Sequence, residues 1–188
     1  MCICVTCVSL SLIHLLFVSS TLLSTYSLSH LLIHSHTPTH THTHTNRQIL
    51  TKNHGNANER WLWHGTNNTD PAKIWDGMNA CGFDPRFGSG YYGNGAYFAV
   101  KAKYSDSYAY RKSSEGRKMF LASVICGESK NYGTTLARTL KRQPQLPSSH
   151  RRYPDSYDSV LAGPHSGSCM YVIYECEQAM PMYMVTYK

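Results

Sequence analysis

The chain has 188 residues, the size of one domain, and its 18 basic and 11 acidic side chains give a formal charge of +7 and a pI of about 9.0. That balance suits anionic partners such as a dinucleotide, RNA or an acidic protein tail, and equally an ordinary solvated basic surface. The seven cysteines form no regular framework: Cys2, Cys4 and Cys7 crowd one end, while Cys81, Cys126, Cys169 and Cys176 are scattered. No zinc-like spacing is present, so no metal is expected and the four scattered cysteines read as reduced thiols.

Residues 1–46 contain no Lys, Arg, Asp or Glu. Residues 2–18 are apolar enough for a signal-peptide core or a short membrane span, but the first basic side chain is Arg47, so the flanking charges of either are missing. Secretory or membrane targeting is therefore the lesser expectation. The Thr-His alternation at 39–45 is what an alternating cytosine-adenine repeat encodes when read in frame. Residues 1–46 accordingly read as a disordered or apolar leader, or a gene-model extension, without a packed partner. The folded domain is expected over 47–188.

Trp61-Leu-Trp-His64 is an apolar, aromatic strand that ends in one polar ring and the bare backbone of Gly65. Asp70-Pro71 opens a helix running to Met78, with Asp70 as cap and Ile74 and Trp75 facing inward. Residues 82–95 hold five glycines and one proline and form a loop. Ala96-Tyr-Phe-Ala99 repeats the first design with Tyr97. A helix over 102–109 sets Ser105 and Tyr108 three apart on one face. Met119 to Cys126 is a continuously apolar, buried strand, 127–156 is polar and loop-rich, and strands at 169–174 and 182–187 close the domain. The fold class is α+β, a mixed, mainly antiparallel sheet with short helices. Two strands that each finish in a polar aromatic group beside glycines suit a flat ligand needing ring stacking and close backbone approach, such as a nicotinamide ring.

His64-Gly-Thr66, then Tyr92-Gly-Asn-Gly-Ala-Tyr-Phe-Ala99, then Tyr104-Ser105, Tyr157-Asp-Ser-Val160 and Gln178-Ala-Met-Pro-Met-Tyr183 resemble the catalytic domain of the poly(ADP-ribose) polymerase family, in the branch that transfers single ADP-ribose units. The resemblance spans about residues 57–188. It implies NAD+ as substrate, the loop at 82–95 over the dinucleotide, Gly65 and Ser105 on the carboxamide, and Tyr97 and Tyr108 around the ring. It further implies His64 on ribose hydroxyls and Thr66 near the adenosine ribose. Family members carry another strand and helix ahead of Asn58-Glu-Arg60; only 47–57 stands there once the leader is set aside, so the sheet is expected to lack a strand.

The third signature position, eight residues before Gln178, is Met170. Chain-elongating members carry Glu there, and a thioether is no general base. The expected product is therefore a single ADP-ribose on a protein side chain, of another protein or of the chain itself. The rival expectation is a catalytically silent NAD-, ADP-ribose- or RNA-binding module. A third, lower reading, a dehydrogenase-type dinucleotide protein, has no support from the order of elements, since no strand is followed by Gly-x-Gly-x-x-Gly opening a helix. NAD being intracellular, the nucleus or cytoplasm is the expected location.

Overall fold

A computed structural model describes residues 32–35, 40–75, 82–152 and 155–188. The apolar run 2–18 and residues 76–78 of the expected helix lie outside them. The elements are β1 (Leu32–Ser35), α1 (His40–Lys52), β2 (Glu59–His64), α2 (Ala72–Trp75), a 3-10 turn (Pro85–Phe87) and β3 (Ala96–Ala99). There follow α3 (Ala102–Asp106), β4 (Arg117–Ile125), β5 (Ser129–Gly133), β6 (Ser159–His165), β7 (Ser168–Ile173), a second 3-10 turn (Cys176–Gln178) and β8 (Ala179–Tyr187).

Among the described residues the eight strands form one sheet in the order β1-β8-β4-β2-β3-β7-β6-β5. Only the β5–β6 pair is parallel. The expected α+β class with a mainly antiparallel sheet is the one observed. β4 shows why its sequence reads as one apolar run. Phe120, Ala122 and Val124 pack with Leu62, Phe83 and Phe98 on one face, while Met119 and Leu121 pack with Trp63, Val185 and Tyr187 on the other. The period of two holds, and both faces are dry.

The front of the domain differs from expectation. β1 pairs antiparallel with β8, Leu32 opposite Thr186, so the sheet has a strand ahead of Asn58-Glu-Arg60. The expected boundary at 46/47 falls inside α1. Threonine and histidine are poor helix formers, and tertiary contacts override that propensity here. His42 is buried, with Nδ1 at 3.1 Å from the Glu177 carbonyl and Nε2 at 3.3 Å from Ser123 Oγ. Asn46 donates to Glu59 at 2.7 Å, and Ile49 packs against Ala57 and Ile125. His42 and Asn46 therefore have packed partners.

A further difference concerns the cysteines. Cys126 and Cys169 are free, as expected, but Cys176 is disulfide-bonded rather than a reduced thiol. Among the described residues no cluster of His, Cys, Asp or Glu could hold a metal ion, and no helix is long and apolar enough to cross a membrane.

Candidate active site

Adjacent strand ends build the site. β2 and β3 pair at Trp63 and Ala99, which brings His64 beside the Tyr97 backbone. His64 Nδ1 lies 2.8 Å from the Tyr97 carbonyl oxygen. A carbonyl can only accept, so Nδ1 carries the proton and a neutral ring presents Nε2 as an acceptor. Burial, partly countered by that hydrogen bond, lowers the His64 pKa below its ordinary 6.5 and keeps the ring neutral near pH 7. Phe83 and Phe98 flank it at ring-centroid distances of 5.0 and 5.1 Å.

Tyr97 is held by its hydroxyl, which donates to the Gly93 carbonyl at 2.8 Å and accepts from the Tyr92 N–H at 3.0 Å. Burial pushes its pKa to about 12, so it stays a neutral phenol. The glycine loop is shaped around this ring. A Cβ on Gly90 would lie 2.8 Å from Tyr97 Cζ, and one on Gly88 would lie 1.8 Å from the Gly95 carbonyl oxygen. Only bare backbone fits at either place.

α3 packs behind these strands. Ser105 is buried and its hydroxyl donates to the Trp63 carbonyl at 3.0 Å, fixing the end of β2. The helix stops at Asp106, three residues short of expectation, because the chain turns: Ser107 N–H bonds Tyr104 O and Tyr108 N–H bonds Ser105 O. Tyr108 therefore swings out, half exposed, with its ring 5.8 Å from that of Tyr104. Its carbonyl oxygen accepts from Asn67 N–H at 2.7 Å and would sit 2.3 Å from a Cβ on Gly65, so glycine is what lets this turn close on β2.

The result is a cleft of about 550 Å³ that His64, Gly65, Thr66, Tyr97 and Tyr108 line together. Five of the seven residues singled out from the sequence thus share one cavity. Thr66 is buried and spends its hydroxyl proton on the Thr69 carbonyl at 2.7 Å. The other two lie beneath the cleft: Ser105 against Trp63, and Met170 in β7, opposite Ala99 and Ala162 and buried in the cluster on which Tyr97 and Tyr104 pack.

Sequence reasoning missed Lys73, Phe83 and Phe87. Lys73 sits in α2, which reads as scaffold, yet it lines the cleft as its one cation among the described residues. A lysine spaced between inward-facing Ile74 and the Asp70 cap gives no sequence signal that sets it apart from a solvated side chain. Phe87 projects from the 3-10 turn, 82% exposed at the cleft edge. The one carboxylate of the lining is Asp84, and Arg86 holds it at 2.6–3.0 Å and lowers its pKa. No free carboxylate is therefore available among the described lining residues.

Comparison with known proteins fits this geometry. The family model for the poly(ADP-ribose) polymerase catalytic domain matches residues 39–188. The human protein mono-ADP-ribosyltransferase PARP14 is 32% identical over 143 residues, 73% of this chain and 7% of the relative. The mouse protein mono-ADP-ribosyltransferase PARP12 is 30% identical over 145 residues, 74% of this chain and 18% of the relative. A probable poly[ADP-ribose] polymerase of Dictyostelium discoideum is 32% identical over 133 residues, 69% of this chain and 34% of the relative. The chain thus spans about a third or less of the length of these relatives.

Proposed function

The chain belongs to the poly(ADP-ribose) polymerase catalytic domain family, and from that premise we propose that it cleaves NAD+ between nicotinamide and ribose and transfers a single ADP-ribose to a protein side chain. The observation that carries this reading is the shared cleft. It sets a neutral histidine acceptor, a glycine backbone and two tyrosine rings around one volume fit for a ring and its ribose.

The chemistry asks for little acid catalysis. As the C–N bond breaks, its electron pair leaves with the nicotinamide, which becomes neutral, and the ribose acquires oxocarbenium character. The site need only hold the ring and favour that state over the ground state. Tyr97 and Tyr108 take the ring, where the cationic form gains about 1 kcal/mol of cation–π interaction. Gly65 grips the carboxamide through its backbone. Ser105 lies beneath the cleft with its proton committed to the Trp63 carbonyl, so it acts by holding the end of β2 in place. His64 accepts from a ribose hydroxyl at Nε2, and its neutrality keeps a second positive charge away from the developing cation. Thr66 lies toward the adenosine ribose, and Lys73 supplies the cation that a diphosphate needs.

Single-unit transfer follows from what the site cannot do. Met170 is a buried thioether, and Asp84 is engaged by Arg86, so no free carboxylate among the described lining residues orients a ribose hydroxyl for chain growth. The acceptor is a protein, the chain itself included. The test is nicotinamide release from NAD+ by the purified chain and by Tyr97→Ala. Release that is lost in the variant supports the reading, and a wild-type chain that binds NAD+ without releasing nicotinamide makes it a silent module.

A further inference from the structure

Between Glu128 and Asp155 the sequence has six basic residues and no acidic one, a third of all its Lys and Arg. Three of them, Arg138, Lys141 and Arg142, fall within five residues and are exposed, and none forms an ion pair with a carboxylate among the described residues. Some other cations of the domain are paired. Lys52 is matched by Asp158, Arg117 by Asp106 and Arg152 by Glu128.

These cations sit against the catalytic loop. The Arg138 guanidinium lies over the Tyr91 ring at 4.3 Å. The Asn94 N–H donates to the Lys141 carbonyl at 3.1 Å, and the Gly93 backbone runs so close that a Cβ there would lie 2.8 Å from the Lys141 carbonyl carbon. Gly93 in turn accepts the Tyr97 hydroxyl. The turn at 138–142 therefore forms a rim on the outer side of the loop that borders the cleft through Gly88, Ser89 and Gly95, and exposed Leu136 and Tyr91 add apolar surface to it.

We propose that this rim, Tyr91, Leu136, Arg138, Lys141 and Arg142, docks an acidic stretch of the acceptor polypeptide beside the cleft. The proposal rests on the transfer reading above, because it assigns the rim to the substrate of that reaction. Three unmatched cations make a local positive field that attracts and orients carboxylates. The apolar neighbours suit a peptide in which acidic and aliphatic side chains mix. Single-stranded nucleic acid, the other polyanion, needs bases stacked on free aromatic faces beside its phosphate contacts. On this rim Arg138 already stacks on Tyr91, which disfavours that occupant.

The test measures binding, not turnover, so it stands whether or not the transfer reading does. A short fluorescent peptide of Glu and Leu, its Gln-and-Leu counterpart and an oligoribonucleotide of equal charge are titrated against the full chain at about 0.15 M ionic strength. Nicotinamide release is followed in the same samples and reports on the transfer reading separately. The Glu peptide is expected to bind about tenfold more tightly than the Gln peptide and than the oligoribonucleotide. Arg138→Gln/Lys141→Gln/Arg142→Gln removes that advantage while nicotinamide release stays unchanged, and the corresponding triple Glu variant prefers a Lys-and-Leu peptide. Equal binding of the Glu and Gln peptides, unchanged affinity in the variant, or tighter binding of the oligoribonucleotide overturns the proposal. Should the variants fail to fold, the wild-type comparison of the three probes decides alone.

Discussion

At the scale of single residues, His64 ties structure to pH most directly. Its pKa is lowered in the fold, so between that value and the ordinary 6.5 the unfolded chain binds a proton that the native chain does not. Stability contributed by His64 is therefore present above pH 6.5 and is lost as pH falls through that window. Activity follows the same direction, because protonation removes the Nε2 lone pair and sets a cation beside an oxocarbenium-like centre. The expected kcat/KM profile falls on its acid side below about pH 6.5. His64→Gln keeps a hydrogen-bonding group without a titration and flattens that limb; an unchanged limb removes His64 from this role. Tyr97→Phe makes a second prediction. It retains the ring but strands the Tyr92 N–H and the Gly93 carbonyl, so it costs about 1–3 kcal/mol in denaturant unfolding and raises KM for NAD+ several-fold. The residues behind both predictions were legible in the sequence as polar rings at strand ends. Their hydrogen bonds were not, since partners such as Gly93 and Tyr92 are set by how the loop folds back.

At the scale of elements, what the sequence disclosed follows hydrophobic pattern. β2, β3, β4, β7 and β8 stand out because aromatic and β-branched residues run through them. β5 and β6 do not: Ser129-Lys-Asn-Tyr-Gly is polar because it is an edge strand, and β6 contains Gly163-Pro164. The helix expected over 102–109 ends at Asp106, because Tyr108 leaves the helical path through a turn that no local residue type announces. That turn yields a prediction. Gly65→Ala puts a methyl 2.3 Å from the Tyr108 carbonyl oxygen, which is backbone and cannot swing away. The variant should lose about 1–3 kcal/mol of stability and most nicotinamide release, with Tyr108 displaced from the cleft. Thermal melts beside kinetics check it; wild-type behaviour in both would mean that the turn is not constrained by this contact.

At the scale of the molecule, the front of the sheet changes the boundary of the functional unit. Cutting the chain to 47–188 removes β1, uncovers the edge of β8 and deletes His42 and Asn46. Such a protein is expected to be at least about 2 kcal/mol less stable than the full chain, and to associate through the bared edge. Melting and size-exclusion measurements on the two would show it, and equal melting temperatures would mean that β1 and the first turns of α1 contribute nothing. Composition concealed this arrangement because a charge-free Thr-His tract carries no amphipathic pattern. The partners of His42 include Ser123 and the Glu177 carbonyl, both distant in the chain. The most direct measurement of the central claim is the intact mass of the full chain and of Tyr97→Ala after incubation with NAD+. Gains of discrete single ADP-ribose units are expected on the wild-type chain, one unit per modified side chain after peptide mapping, and none on the variant. Chains of several units on one side chain, or modification that survives Tyr97→Ala, would contradict it.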